Sequence, residues 1–166
     1  MAISPNKKPR SGNARSAARL AAVQALYQRE MNGAALPQLL TEFHRHRLGA
    51  TIEGAVYVEA DQDFFDDVVA GAGAREAEID ALISAALATG WTLDRLDRPM
   101  RGVLRAGVYE LIARPDVPAA AVVDEYVDVA HAFFEAREAG FVNALLDTVA
   151  RRVRGYVRLL RIVMLA

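Results

Sequence analysis

No cysteine occurs among the 166 residues. That absence excludes disulfides, thiol nucleophiles and cysteine metal sites, and it permits a reducing compartment. Histidine is also scarce, at three residues. Two of them form "HRHR" (His44 to Arg47), but histidines two apart do not face each other on a helix and no third ligand is evident, so no metal is expected. His131 lies among apolar residues and reads as a packed or partly exposed side chain. No apolar run approaches the roughly 18 residues of a membrane span. The basic start is not followed by an apolar stretch of signal-peptide length, so export is not expected and a cytoplasmic protein is. A phosphate-binding glycine loop and a nucleophile elbow are both missing. Asp94, Asp97, Glu110 and Asp124 are scattered, and read as caps and helix-face charges rather than as a paired acid and base. Neither a cofactor nor an enzymatic activity is expected.

Acids are absent from the first 29 residues, and what stands there instead is basic: Lys7, Lys8, Arg10, Arg15, Arg19 and Arg29. The formal net charge of −1 therefore hides a segregation. Glu53, Glu59, Asp61, Asp63, Asp66 and Asp67 make a purely acidic middle, and Arg151, Arg152, Arg154, Arg158 and Arg161 end the chain without an acid among them. Such asymmetry speaks of partners more than the net value does, although a flexible start and solvated helix faces would also account for it. With 53% hydrophobic and 25% charged residues, and Ala, Leu, Arg and Glu common, the composition leans helical.

Residues 1–13, with Pro5, Pro9 and Gly12 among the cations, read as a flexible basic tail. Ser11 or Asn13 can cap a first helix whose stripe is Leu20, Val23, Tyr27 and Met31, with Leu26 on its flank, and which ends at Asn32-Gly33. A second helix is expected from about Leu36 to Arg47, then an irregular stretch, "LGATIEGAVYVEAD", with a short strand-like patch. A third helical region starts near Asp63, with Gly71 and Gly73 as candidate breaks, and closes at Thr89-Gly90. Thr92 caps the turn "LDRLD", and Asp97 or Arg98 caps a helix with Pro99 in its first turn. Pro118 opens the next helix, to about Ala136, and Gly140 separates it from a last one starting near Phe141. The expectation is an all-α fold of six or seven helices.

Three stretches, "ARSAARLAAVQALYQ", "LDRLDRPMRGVLRAGVYELIARPDVP" and "VVDEYVDVAHAFFEAREAGFVNALLDTVARRVR", occur in an order that resembles the NusB transcription antitermination factors of bacteria. The resemblance covers residues 14–154 and is strongest after Leu93. It implies a bundle of two packed helical subdomains, binding of the boxA element of ribosomal RNA leader transcripts, partnership with NusE (a small-subunit ribosomal protein), and action in an antitermination complex with RNA polymerase. A homodimer is left open. Residues 155–166, apolar with interleaved arginines, form an extension outside the resemblance.

Arg15 and Arg19 are four apart, so they share a helix face beside the free N–H groups of the first turn, where a phosphate oxygen would be well received. Family members carry an arginine-rich start to this helix, which the resemblance implies to be RNA-binding at Arg15 and Arg19, with Lys7, Lys8 and Arg10 of the tail in support. Ser16 and Ala17 stand where further cations often occur. Tyr27, Arg137 and Phe141 are placed near RNA on the same grounds, Tyr27 and Phe141 being open to a plain packing role as well. Met100, Arg101 and Arg105 are placed at the NusE surface. Two alternatives stand beside this reading. One is the related helical domain of an rRNA cytosine methyltransferase. The other is a helical adaptor that binds only protein.

Overall fold

The computed structural model describes residues 11–46, 51–52, 55–56 and 60–155. Its first helix, α1 (Ser11–Asn32), buries Ala18, Ala22, Val23, Ala25 and Leu26. This face differs from the expected one: Tyr27 is half-buried and Met31 is exposed. Alanines carry a weak hydrophobic signal, but their small side chains let neighbouring helices approach, and here they face the core. α1 ends at Asn32, whose side-chain oxygen accepts a hydrogen bond from the Ala34 amide.

α2 (Leu36–His46) buries Leu39 and Phe43, and the Phe43 ring stacks 5.5 Å from that of Phe65. The strand-like patch is present as a short antiparallel pair, β1 (Thr51–Ile52) with β2 (Ala55–Val56). α3 (Gln62–Ala74) begins after Asp61, whose carboxylate caps it by accepting from the Phe64 amide at 3.0 Å. The break before α4 (Glu76–Ala86) falls at Arg75, not at either glycine. Gly71 lies inside α3, and its missing Cβ makes room for Tyr109: a Cβ there would lie 2.1 Å from Tyr109 Cζ.

A 3₁₀ turn (Leu93–Arg95) leads to α5 (Arg98–Ala113), with Pro99 in its first turn as expected. α6 (Ala119–Phe133) follows Pro118, and α7 (Ala136–Arg154) follows a two-residue extended break at Phe134 and Glu135. The expected separator, Gly140, thus lies inside α7. A helical glycine costs about 1 kcal/mol against alanine, and burial of Ala139, Val142, Leu145 and Leu146 along the same helix outweighs that.

α1 to α3 form one helical group and α4 to α7 the other, with α5 central: it packs on α1, α3, α4, α6 and α7. The result is the expected all-α fold of two packed subdomains around one continuous core. No described helix is long and apolar enough to cross a membrane.

Candidate nucleic-acid interface

The cations at the start of α1 meet carboxylates of their own chain. Arg19 is 4% exposed and Glu110, on α5, is fully buried. The Arg19 guanidinium donates to both Glu110 oxygens, from Nε at 2.9 Å and from Nη2 at 3.0 Å. Tyr126 of α6 donates its hydroxyl to the same carboxylate, and Glu125 lies 3.5 Å from Arg19 Nη1. Burial opposes the arginine's charge, but the bonds and charge of Glu110, with Glu125 behind, outweigh it and hold the guanidinium above its ordinary pKa. Burial first, then the Glu110 charge and bond, pushes the Tyr126 hydroxyl well up. Arg19 therefore ties α1 to α5 and α6, and its donors are not offered to solvent. The expectation of Arg19 as a phosphate contact is corrected on this ground, and Glu110 is a core carboxylate instead of a helix-face charge.

Arg15 is different. Its side chain is 37% exposed, and it stands 3.9 Å from both Asp61 and Asp116. Arg15, Arg19 and Arg114 all lie over the Phe64 ring, at 4.7, 4.8 and 5.0 Å from its centre. The two α1 arginines do share a face, but that face looks onto an aromatic ring and a set of acids. The Asp61 amide donates to the Ala14 carbonyl at 3.0 Å, so the capped start of α3 abuts the start of α1. A basic α1 face kept apart from the acidic middle is therefore not what folds. Lys7, Lys8 and Arg10 lie outside the described residues.

Arg137 and Phe141 sit four apart on α7, Arg137 exposed and Phe141 half-buried against the core. The partners of Arg15 are Asp61, Asp116 and the Phe64 ring, and neither Arg137 nor Phe141 is among them. Arg15 neighbours Asp116, just before α6, whereas Arg137 follows the far end of α6. Ser16, next to Arg15, donates to Glu125 midway along α6, short of that end at Phe133. Asp124 and Asp128 are exposed along α6.

The three candidate partner residues turn inward. Met100 is 5% exposed, so a charge placed there would disturb the core before any docking. Arg101 Nη1 donates to the carbonyls of Leu96 at 2.8 Å and Asp94 at 3.2 Å, and its Nη2 pairs with Glu30. Arg105 grips Asp80 through Nε at 2.8 Å and Nη2 at 3.0 Å, with Glu30 and Glu76 close by. These arginines fasten α1, the 3₁₀ turn and α4 to α5. What is exposed nearby is Trp91, at 52%, with the Arg95 guanidinium 5.1 Å above its ring. Met31 is equally exposed and receives a contact from Arg98 Nη1 at 2.6 Å. Sequence reading passed over Trp91. The signal was present, because it is the chain's single tryptophan and stands in a short polar turn.

Tyr109 is pushed up to about 12, by burial first and then by its bond to Asp67 at 2.7 Å. A hydroxyl whose folded pKa exceeds its unfolded value stabilises the fold fully below the unfolded pKa. That stabilisation is lost as pH climbs from about 10 toward 12. Tyrosinate absorbance near pH 11 should accordingly be lower in the native protein than in urea, by the contribution of Tyr109 and Tyr126. Coincident native and denatured titrations would contradict the buried placement of both hydroxyls.

Comparison with known proteins agrees with this architecture. The NusB family profile matches residues 16–151. The chain is 63% identical over 149 residues to the transcription antitermination protein NusB of Sphingopyxis alaskensis, a match covering 90% of this chain and 98% of that protein. It is 65% identical over 144 residues to the protein of the same name from Novosphingobium aromaticivorans, covering 87% and 97%. Among solved structures, T. maritima NusB superposes with a TM-score of 0.67 at 31% identity, over 82% of this chain and 90% of that one. A structure of the antitermination factors NusB and NusE in complex with dsRNA gives 0.70 at 24% identity, over 84% and 98%, and that likeness is one of fold. With the profile spanning both helical groups, from Ser16 at the start of α1 to Arg151 near the end of α7, the chain belongs to the NusB family.

Proposed function

We propose that this protein is a transcription antitermination factor that binds boxA-type single-stranded RNA together with NusE and acts on elongating RNA polymerase in the bacterial cytoplasm. The observation that carries the reading is the 63% identity to a named antitermination protein over 98% of that protein's length. The work is binding without turnover. Arg15, near the start of α1 with its side chain 37% exposed, and the basic residues Lys7, Lys8 and Arg10 that precede it supply the phosphate contacts. Phe141 and Arg137 offer a second, separate contact, and half-buried Tyr27 stays a third candidate. For NusE, the exposed Trp91 with Arg95, and Met31 with Arg98, replace the inward Met100, Arg101 and Arg105, because aromatic, Met and Arg side chains are the types enriched at protein interfaces.

Titration of boxA RNA at several salt concentrations, with and without NusE, tests this. Each phosphate contact contributes about 0.7 to the log–log salt slope for a single strand. Arg15→Ala should flatten the slope by about that amount, and loss of Lys7, Lys8 and Arg10 by more. Trp91→Ala should weaken the gain brought by NusE and leave RNA binding by the isolated protein unchanged. A slope indifferent to all four cations would remove the α1 start and the residues before it from the RNA contact, and no binding of boxA RNA at low salt, with or without NusE, would remove RNA from the reading.

A further inference from the structure

Arg154 and Val153, at the end of α7, line an open groove of about 810 Å³ whose other walls are Ala81 and Leu82 of α4, Leu111 and Ile112 of α5, and Pro115. Its charged groups are already engaged. Arg75 holds Glu78 through two bonds of 2.9 Å at the rim. Arg154 spends its donors on the carbonyls of Glu110, Leu111, Arg114 and Val117. What remains to be covered is apolar.

We infer that residues 156–166 of this same chain occupy the groove. Three observations converge on that occupant. The chain leaves α7 at the groove's edge, immediately after two of its lining residues. It leaves through Gly155 at φ +63°, a left-handed residue that stops α7 and turns the backbone away from the helix axis. The segment that follows, "YVRLLRIVMLA", has two charges, Arg158 and Arg161. Spaced three apart, they fall on one side of a helix, opposite Tyr156, Leu159, Leu160 and Val163, which recur at i, i+3, i+4 and i+7. A segment so patterned lays its apolar face on the apolar walls of the groove and keeps both guanidinium groups in water, away from the Arg154 charge. The family profile ends at residue 151, so this cover is a feature of the chain outside the profile match.

The absence of native cysteine makes a clean test possible. Ala81→Cys, exposed in the groove wall, is combined in the full-length protein with Leu159→Cys, Leu160→Cys or Val163→Cys in turn. Ala132→Cys, exposed near the far end of α6, replaces Ala81→Cys in the control series. Under mild oxidation at low protein concentration, at least one groove pair should close an intramolecular disulfide about tenfold faster than its control, the advantage of a held segment over a tethered loose one. Equal rates in both series would overturn the proposal. So would products that are mainly disulfide-linked dimers forming faster at higher concentration, which would assign the groove to a second copy. Neither outcome depends on RNA or NusE.

Discussion

Replacing Glu110 with alanine should destabilise the protein by about 3–5 kcal/mol, the usual penalty for stranding a buried charge. Arg19 would lose the carboxylate that receives two of its donors, and the Tyr126 hydroxyl would lose its acceptor at the same stroke. Glu125 alone, 3.5 Å away and partly exposed, cannot substitute. The measurement is the urea unfolding midpoint with an unchanged m-value. Arg19→Met combined with Glu110→Leu removes both charges and should cost less than Glu110→Ala, since it leaves only the Tyr126 hydroxyl without its acceptor and no charge unpaired. If Glu110→Ala cost under about 1 kcal/mol, the range of an exposed pair, the site would not be a buried ion pair. The same double variant, if folded, should keep the RNA salt slope of the parent, because Arg19 faces Glu110 and not solvent.

Arg154→Ala is expected to cost about 2–4 kcal/mol, chiefly from the Leu111 and Val117 carbonyls, since those of Glu110 and Arg114 keep the amides of Arg114 and Val117 as donors. One guanidinium spans all four carbonyls, with bonds of 2.7 Å to Leu111, 2.6 Å to Val117, 2.9 Å to Glu110 and 2.8 Å to Arg114. Lysine carries the charge but not the planar fork, so Arg154→Lys should recover only part of the loss. Amide hydrogen exchange localises the effect: faster exchange should appear in the last turn of α5 and the first of α6. A variant as stable as its parent would mean that water serves these carbonyls equally well.

The neighbouring residues show how far the sequence could be read. Helices were legible wherever a strong local signal stood: Asn32-Gly33 at the end of α1, Pro99 in the first turn of α5, Pro118 before α6. Where the signal was a lone glycine, Gly71, Gly73 or Gly140, the reading failed. A glycine's local cost of about 1 kcal/mol is small against the burial of a whole helix face, and at Gly71 the residue makes room for Tyr109. The two-subdomain fold followed from the family resemblance that "VLRAGVYEL" and "FVNALLD" carry, not from helix periodicity.

Several charged residues read as surface groups lie inside, for one physical reason. A charge in a helix pattern says that the position needs a partner, and it does not say whether water or a carboxylate supplies one. Arg19, Arg101, Arg105 and Glu110 find theirs inside, across gaps of up to 91 residues in the chain. From sequence alone, their types and spacing resembled a surface. The sequence by itself determined the helices, their order, the absence of thiol chemistry and the family. Only the tertiary structure decided which cations are spent in holding α1 to α5 and which, such as Arg15, Arg95 and Arg137, stay exposed enough to meet a partner. Pairing over such separations depends on where the chain returns, and that is fixed by the packing of apolar faces, not by any local pattern of charge.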